Sequence, residues 1–315
     1  MESTALKSGK LEDICTGVSV GNVCASSVCR EISAISSQNL TPGLYVVATP
    51  IGHLGDITIR ALCVLANVDK VYCENRRISE KLLVRYGILS NLKTYHEHNA
   101  ARVRREILEE ILSGSRIALI SDAGTPAISD PGFKLVVAVI EAGGYVTSIP
   151  GPAAVTSALA ISGISTDRFL FAGFLNSKSS ARRKEVQLLA NVPATLLFYE
   201  APHRLSSMLA DLSEFLGDRR AVLARELTKK YEECKRGRLT ELLEWANKAQ
   251  IRGEFTIVVA PPTIKEIDDD AIVKRLRYVL TTASPSKAAK QVAEEFGVSK
   301  KRTYSICLEL KPHKD

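Results

Sequence analysis

Residues 121–132 read Ser-Asp-Ala-Gly-Thr-Pro-Ala-Ile-Ser-Asp-Pro-Gly. An apolar run at 116–120 comes directly before this stretch, and the spacing of the apolar residues at 133–142 predicts a helix after it. Glycine, proline and aspartate each occur twice in the stretch, which is typical of a tight strand-to-helix loop that presents its backbone to a ligand. The alternative is a structural turn whose aspartates cap helices.

Two further loops rich in glycine and proline follow runs that are typical of strands. Thr-Pro-Ile-Gly-His-Leu-Gly-Asp at 49–56 follows the run 44–48, and Pro-Gly-Pro-Ala-Ala at 150–154 follows the run 145–149. The alternation of strands and helices favours a mainly parallel sheet that is covered on both faces. Because the carboxyl ends of parallel strands meet at one edge, we expect the three loops to converge on one ligand.

The chain of 315 residues is long enough for two domains with appendages. We expect the serine-rich residues 1–42 to form a disordered tail. An N-terminal α/β domain then covers 43–155, a more mixed C-terminal α/β domain covers 156–262, and a helical module covers 271–311. Two α/β domains in tandem leave a cleft in which a small ligand commonly binds.

The second half of the chain is expected to be partly antiparallel and partly basic. The runs at 221–227 and 254–260 favour an antiparallel pair. The stretch 176–184 is interpreted as a loop without acids, and its cations would neutralise RNA phosphates. These cations are Lys178, Arg182, Arg183 and Lys184.

The C-terminal helical module has the pattern of a helix-turn-helix. Ser286 is placed to cap a helix that ends at Gly297, and Ser299 is placed to cap a second helix that begins with Lys-Lys-Arg at 300–302. Cations in the first turn of a helix oppose its dipole, so contact with nucleic acid explains them better than local stability does. A small helical packing module is the alternative.

Composition limits the class of protein. The net charge of +7 and the pI near 9.0 suit an anionic partner, although an ordinary basic surface would look the same. The seven cysteines are scattered along the chain, which fits a reducing, cytoplasmic compartment. The longest apolar stretches fall far short of the roughly 20 residues that a membrane span requires, so we expect no membrane association.

Several common catalytic signatures are missing from the sequence. It contains no G-x-G-x-x-G after its first strand, no P-loop, no G-x-S-x-G elbow and no H-E-x-x-H. His96 and His98 have no identifiable third ligand nearby, so we expect no metal site.

Five motifs identify a family by their order along the chain. They are Thr-Pro-Ile-Gly-His-Leu-Gly-Asp at 49–56, the stretch 121–132, Pro-Gly-Pro-Ala-Ala at 150–154, Phe-Tyr-Glu-Ala-Pro-His-Arg at 198–204 and Ala-Arg-Glu-Leu-Thr-Lys at 224–229. Together they closely resemble the ribosomal RNA small subunit methyltransferase I family over roughly residues 43–311.

The resemblance implies a fold, a reaction and partners. The fold is the two-domain α/β fold of the tetrapyrrole methylases (class III methyltransferases), with a small C-terminal helical module. The implied reaction is S-adenosylmethionine-dependent 2′-O-methylation of a cytidine ribose in small-subunit (16S) ribosomal RNA. The implied partners are this RNA or the 30S particle, and a second copy of the chain in a homodimer.

The same resemblance implies the residues of the site. A ribose 2′-hydroxyl is a weak acid, so its methylation should need a base or a cation that stabilises the alkoxide. The candidates on this side are Glu200, His203, Arg225, Glu226 and Lys229, all within the motifs at 198–204 and 224–229. From them we choose Glu200 and Glu226, for proton handling or orientation, and Arg225, for substrate contact. The cofactor pocket should be lined by Pro50, Asp122, Ala123, Gly124, Thr125, Ala153, Ala154 and Tyr199.

The chain departs from the family pattern beside the site. Family members commonly have Ala-Glu-Asp-Thr-Arg where this chain has Cys-Glu-Asn-Arg-Arg at 73–77, and Ala100 stands where an acid often occurs. A site that needs the acid would be impaired by Asn75, whereas a site that binds phosphate would lose a repulsive charge. Two alternative functions stay open: a tetrapyrrole C-methyltransferase of the uroporphyrinogen or precorrin type, and a non-enzymatic nucleic-acid-binding protein.

Overall fold

The computed structural model describes residues 25–37, 39–263 and 269–310. The chain divides into two compact units, with the division between Pro262 and Thr263. The larger unit contains two five-stranded sheets, and the smaller one is helical. Among the described helices, none combines the length and the apolar character that crossing a bilayer requires.

The first sheet is parallel throughout, in the order β3-β2-β4-β1-β5, which confirms the parallel sheet expected from the sequence. The elements of this half are α1 (Ala25–Ser36), β1 (Gly43–Val47), α2 (Ile59–Asn67), β2 (Lys70–Cys73), α3 (Arg76–Arg85), β3 (Leu92–Thr94), α4 (Ala100–Leu112), β4 (Arg116–Ile120), α5 (Phe133–Glu141) and β5 (Val146–Ile149).

Both faces of this sheet are buried because alternate side chains of each strand enter different cores. Leu44 and Val46 of β1 pack with apolar residues of α4 and α5 on one face. Tyr45 and Val47 pack with residues of α2 and α3 on the other face. A strand that is apolar at every position therefore folds in the middle of the sheet, where helices cover both of its sides.

Part of the expected N-terminal tail is ordered. Residues 25–36, which we expected to be disordered, form α1 instead, while residues 1–24 and 38 lie outside the described residues. The hydroxyl of Ser36 lies 3.1 Å from Sγ of Cys63 on α2. The serine-rich composition did not indicate this helix, because the helix packs against α2, a part of the chain that lies further along the sequence.

The second sheet is mixed, in the order β6-β7-β10-β8-β9. Only β6 and β7 pair in parallel, and the expected antiparallel pairing of 221–227 with 254–260 is confirmed by β8 and β10. The elements of this half are α6 (Ala154–Ser162), β6 (Phe169–Gly173), α7 (Ser179–Leu189), β7 (Thr195–Glu200), α8 (Leu205–Leu216), β8 (Arg220–Arg225), β9 (Glu233–Arg238), α9 (Leu239–Lys248) and β10 (Phe255–Val259).

Helix α6 joins the two halves. It follows directly after the loop that leaves β5, yet Val155, Ala158 and Leu159 pack against apolar residues of the second sheet. The same cluster includes Ile51 from the loop after β1. The carboxyl edge of the first sheet therefore continues into the core of the second half.

The basic stretch 176–184 is not the loop that we expected. Most of it lies in α7, where the Arg182 side chain is only 5% exposed and its Nε donates to Oδ2 of Asp211 on α8 at 2.6 Å. Arg183 pairs with Glu214 and lies over the ring of Phe215. These two arginines hold α7 against α8, which leaves Lys178 and Lys184 as the exposed cations of the stretch.

Within its described residues, the smaller unit has three helices around one apolar cluster. Ser299 caps the last helix by accepting from the backbone N–H of Arg302, as expected. The cap of the preceding helix is Ser284 and not Ser286, because Pro285 occupies the first helical position. Arg302 pairs with Asp269, so this cation has a structural partner. The helices are α10 (Asp269–Val279), α11 (Pro285–Phe296) and α12 (Lys300–Glu309).

We expect the buried pair on α7 and α8 to contribute strongly to stability. Replacement of Arg182 by Met leaves the carboxylate of Asp211 largely buried without its closest partner, which should lower the free energy of unfolding by about 3 kcal/mol. Urea unfolding followed by the fluorescence of Trp245, the single tryptophan and part of the same half, measures this loss.

Arg183→Met is the matched control, because its side chain is 42% exposed and contacts the same carboxylate at 3.5 Å. It should lower the free energy of unfolding much less than Arg182→Met does, because ion pairs exposed to solvent contribute little to stability. Equal losses in the two variants would contradict the assignment of the buried pair.

Candidate active site

The three loops predicted to converge do so at the carboxyl edge of the first sheet. Strands β4, β1 and β5 are neighbours, so the loops that follow them leave the sheet side by side. Thr49 and Gly124 exchange two backbone hydrogen bonds, of 2.8 and 3.0 Å. Pro152 of the third loop is close as well, because a Cβ added to Gly124 would lie 3.8 Å from its carbonyl oxygen.

The loop 121–132 holds an unusual backbone conformation. Ala127 and Ser129 have φ of 69° and 62°, in the left-handed region that side chains disfavour. Gly132 has φ of 145°, and a Cβ there would lie 2.9 Å from Cδ2 of Leu119. Such conformations cluster at ligand clamps, where the surrounding structure enforces them.

Three carboxylates gather at this edge: Glu74 after β2, and Asp122 and Asp130 in the loop after β4. Asp122 Oδ1 accepts from the backbone N–H of Asn75 at 3.0 Å. Burial raises the pKa of all three carboxyls, and that of Asp130 rises from 3.8 to about 6. The charges of Glu74 and Asp122 add to the rise at Asp130. Among the described residues, no cation forms an ion pair with any of the three.

Tyr199 links this edge to the second sheet. Its hydroxyl accepts from the backbone N–H of Val155 at 3.1 Å. Its ring meets Phe171 and Phe174 edge to face, with centroids 4.8 and 5.6 Å apart. Ala153 and Ala154 pack in the same apolar cluster. Tyr199 and the two alanines therefore form one wall beside the acidic loop, which fits the predicted grouping of cofactor residues.

The other predicted cofactor residues lie in the two loops that pair at Thr49 and Gly124. Pro50 is buried directly after Thr49, whereas Ala123 is exposed and Thr125 half-buried on either side of Gly124. The structure therefore brings all eight predicted residues to the carboxyl edge and the wall beside it.

Glu200 and Arg225 lie at one edge of the second sheet. Phe255 of the central strand β10 lies directly between them, paired with Glu200 on one side and with Arg225 on the other. The backbones of Glu200 and Arg225 are therefore two strand spacings apart, at about 5 Å each. The Glu200 side chain is fully buried, Oε1 accepts from the N–H of Ala201, and burial raises its pKa. Arg204 Nε lies 3.2 Å from the same oxygen.

Arg225 is held on both sides of its guanidinium. Nε donates to the carbonyl oxygen of Arg252 at 2.7 Å, and Nη1 donates to Glu233 at 3.2 Å. This geometry fixes the end of β8 and presents part of the guanidinium at the edge, since the side chain is 24% exposed.

Glu226 forms the centre of a small network. Its Oε1 accepts from Lys229 Nζ and from the backbone N–H of Glu254, both at 3.0 Å. Burial alone would raise the pKa of Glu226, but the N–H of Glu254 and the Lys229 ammonium outweigh burial and hold the pKa below its usual value. Glu226 has φ of 49°, and a Cβ on Gly253 would lie 2.5 Å from its side chain. The carboxylate is thus charged and fixed in position.

The two edges touch through the loop after β1. The backbone N–H of His53 donates to the hydroxyl of Thr228 at 2.9 Å. A Cβ on Gly52 would lie 2.5 Å from Cγ of Lys229, so glycine is required there. Thr228 has φ of 63°, a second strained position in the motif 224–229. The loops at the carboxyl edge and the motif 224–229 therefore form one continuous surface.

Sequence reasoning did not select three residues that the geometry brings to this site. Glu74 comes directly after a buried strand, and Asp122 lies in a loop that also follows one. That position at the carboxyl end of a strand is the sequence feature that could have identified Glu74. Asp130 lies in the loop 121–132 but was not among the predicted pocket residues. Lys229 was a candidate on the substrate side but was not chosen, because the sequence does not show that Glu254, 25 residues later, binds its ammonium. Among the described residues, no cluster of three or more ligand-type side chains has the arrangement of a metal site.

Comparison with known families gives two matches along the chain. The family model "Tetrapyrrole (Corrin/Porphyrin) Methylases" matches residues 43–243, and the model "RsmI C-terminal HTH domain" matches residues 266–311. A protein of Mesorhizobium japonicum named Ribosomal RNA small subunit methyltransferase I is 45% identical over 280 residues, which is 88% of this chain and 95% of that protein. The protein of the same name in Bacillus subtilis is 43% identical over 83% of this chain and 92% of its own length.

Solved structures share the fold at low identity. Cobalt precorrin-4 methyltransferase is 16% identical with a TM-score of 0.54, over 69% of this chain and 94% of that one. Uroporphyrin-III C-methyltransferase from Thermus thermophilus, solved with S-adenosyl homocysteine, is 19% identical with a TM-score of 0.52. This match covers 69% of this chain and 97% of that one. At this identity the likeness concerns the fold alone. The matches to the family models and to the bacterial relatives extend over most of the chain, and the chain belongs to the ribosomal RNA small subunit methyltransferase I family of the tetrapyrrole methylases.

Proposed function

We propose that this protein transfers a methyl group from S-adenosylmethionine to the 2′-oxygen of a cytidine ribose in small-subunit ribosomal RNA. The observation that carries the proposal is the likeness to proteins named for methylation of this RNA, at 43–45% identity over 83–88% of the chain. The choice of a cytidine 2′-oxygen rests on the family resemblance of the five motifs. The two tetrapyrrole enzymes compared above share only the fold with this chain, at 16% and 19% identity.

The residues at the carboxyl edge fit S-adenosylmethionine. Its sulfonium and ammonium groups are cationic, and Glu74, Asp122 and Asp130 are carboxylates whose pKa values are raised, mainly by burial. A cation bound beside them would stabilise their charged forms. When bound, the cofactor supplies a methyl group on a positively charged sulfur. The loops at 49–56, 121–132 and 150–154 would hold it, with Tyr199 and the two alanines at 153 and 154 as the apolar wall.

On the substrate side, we assign orientation and charge stabilisation to the network around Glu226. The acceptor hydroxyl must pass its proton to solvent water as the new C–O bond forms, so negative charge develops on that oxygen. The ammonium of Lys229, fixed by Glu226 at 3.0 Å and by Glu254 at 2.8 Å, is placed to stabilise this charge. The carboxylate of Glu226 positions the ammonium, Arg225 contacts the RNA, and the buried carboxyl of Glu200 fixes the turn at 201–204.

RNA contact extends beyond the reacting nucleotide. Lys178, Lys184, Lys300 and Lys301 are exposed and carry charges that would neutralise phosphates. We assign a homodimer on the family resemblance alone, and light scattering of the purified protein determines its mass directly.

Transfer of label from S-adenosylmethionine to small-subunit ribosomal RNA tests the proposed reaction. Purified protein is incubated with labelled cofactor and either naked 16S RNA or 30S particles, and digested RNA is resolved by mass spectrometry. We expect label on one nucleoside, as 2′-O-methylcytidine. Label on a base, or on uroporphyrinogen in a parallel reaction, would contradict the proposal, as would RNA binding without any transfer.

Cofactor affinity should depend on the ionisation of Asp130. A cationic ligand favours the charged carboxylate of Asp130. Affinity for the cofactor should therefore fall as the pH drops below about 6, which is the pKa of Asp130 in the free protein. The fall is at most about tenfold per pH unit for one group. Calorimetric titration between pH 5 and 8 measures it, and Asp130→Asn should bind weakly at pH 8 with a flatter pH profile.

The free protein should show the opposite dependence in its stability. A carboxyl whose pKa is raised from 3.8 to about 6 takes up a proton in the folded state first, so stability rises as the pH falls through this window. Asp130→Asn should remove most of this rise, whereas Asp167→Asn, an exposed control with the same charge change, should keep it. Identical profiles for the three proteins would contradict the raised pKa.

The network around Lys229 should affect turnover and not cofactor binding. Glu226→Gln keeps an oxygen for the N–H of Glu254 but removes the charge that fixes the ammonium, so kcat should fall about 100-fold. Calorimetry should give an unchanged Kd for S-adenosylmethionine. The control is Glu254→Gln, whose side chain is 80% exposed and pairs with the same lysine. If Glu226→Gln keeps the full kcat, or if Glu254→Gln loses as much, Glu226 has no special part in positioning Lys229.

A further inference from the structure

A cavity of about 260 Å³ opens beside the active edge, between β2, β3 and the first turns of α3 and α4. None of its lining residues belongs to the cofactor pocket or to the network around Glu226. The charged and phenolic members of the lining are Tyr72, Arg76, Lys93, Arg102 and Glu106.

The cavity carries an excess of positive charge. Within the described part of the chain, Arg76 and Lys93 form no ion pair, and both are exposed. Glu106 is the one acid of the lining, and its carboxylate is bound to Nη1 of Arg102 at 2.6 Å. Two cations are therefore left without a counter-ion around a small concave surface, which is the arrangement of an anion site.

Arg76 lies at the N-terminus of α3, where a positive charge does not stabilise the helix. It is the first residue of α3, and Arg77 follows it, so two positive charges lie at the positive end of the helix dipole. Asn75 caps the helix by accepting from the N–H of Arg77, so the cap does not need the arginine. An anion in the cavity would be attracted by Arg76 and by the helix terminus together.

The wall of the cavity contains an independent sign of a missing ligand. Tyr72 is 1% exposed, and its hydroxyl has no hydrogen-bond partner among the described residues. A buried hydroxyl without a partner is rare in folded proteins and calls for an explanation. Burial, with Glu110 and Glu106 nearby, raises the pKa of Tyr72 to about 12, so the group keeps its proton and can donate to an anion.

The cavity is adjacent to the methyl-transfer site. Asn75, next to Arg76 in the chain, donates its backbone N–H to Asp122 in the cofactor loop. A strand of RNA that places one ribose at the cofactor must therefore pass close to the cavity. The departure at 75 and 76, where the family commonly has an aspartate and a threonine, makes this passage more positive.

We propose that the cavity at Tyr72, Arg76, Lys93 and Arg102 binds a backbone phosphate of the RNA substrate next to the methylated nucleotide. The proposal rests on the proposed function, because it assumes that RNA is the substrate. It assigns this group of cations to orientation of the strand and not to the chemistry of methyl transfer.

The test compares two double variants that each remove two positive charges. Arg76→Ala with Lys93→Ala changes the cavity, whereas Lys81→Ala with Arg85→Ala changes exposed cations further along the same helix. Filter binding of small-subunit ribosomal RNA at 0.15 M salt measures Kd, and its dependence on salt gives the number of phosphates neutralised.

We expect the cavity variant to bind RNA about 4- to 15-fold more weakly, with a salt slope smaller by about 0.7 for each phosphate lost. The control should bind nearly as the unaltered protein does, and both variants should keep the affinity for S-adenosylmethionine. Equal weakening in the two variants would overturn the proposal. If the unaltered protein binds RNA but transfers no methyl group to it, the proposed function fails while this comparison still decides the phosphate site.

Two further arms define the ligand. Inorganic phosphate is titrated into the free protein. If phosphate binds through Arg76 and Lys93, but replacing these two residues does not change the affinity for RNA, the ligand is a free anion and the RNA assignment is overturned.

The second arm is Tyr72→Phe, which removes a hydroxyl that has no partner in the free protein and should leave the urea midpoint unchanged or higher. Weaker RNA binding by this stable variant supports the hydroxyl as a ligand of the phosphate. Unchanged RNA binding would overturn the part given to Tyr72.

Discussion

Two backbone hydrogen bonds between Thr49 and Gly124 tie together the loops on which the active edge depends. They join the connections after β1 and β4 just where these leave the sheet, and they require the left-handed conformation that Gly124 adopts, with φ of 78°. From this junction, the loop 121–132 reaches across to the second sheet. A Cβ on Gly173 of β6 would lie 3.1 Å from the hydroxyl of Ser129. Loss of the junction would release both the acidic cluster and the wall formed by Tyr199, so a local backbone contact controls the shape of the whole site.

The site combines two electrostatic environments within a short distance. In the proposed function the carboxylates at 74, 122 and 130 face the cationic cofactor, and burial is the main cause of their raised pKa values. In the same proposal the anionic RNA lies toward the cations of the cavity beside Arg76 and toward Lys229, whose ammonium is held by Glu226 and Glu254. This arrangement suits a reaction that brings a sulfonium and a polyphosphate together, because each reactant is attracted to its own side of the edge and repelled from the other.

The convergence of the three loops could be predicted from the sequence because it depends on local patterns. An apolar strand followed by a loop of glycine, proline and aspartate places that loop at a carboxyl edge in any parallel sheet. The substrate side depends on contacts between distant parts of the chain. Arg182 looked like a surface cation until Asp211, 29 residues later, proved to bury it. Glu226 was chosen for proton handling or orientation without knowledge of its partners, and the N–H that it binds belongs to Glu254, 28 residues away. The pattern of charges along 176–184 and 224–229 contains no information about these partners.

Hydrogen–deuterium exchange with and without saturating S-adenosyl homocysteine tests the central claim, which is that the paired loops form the cofactor site. The account predicts slower exchange in peptides that cover 49–56, 121–132 and 150–154, with the amide of Gly124 among those protected. Peptides from the cavity at 92–106 should exchange at the same rate in both states, since that surface is assigned to RNA. Protection confined to other parts of the chain, with the three loops unchanged, would contradict the assignment of the cofactor to this edge.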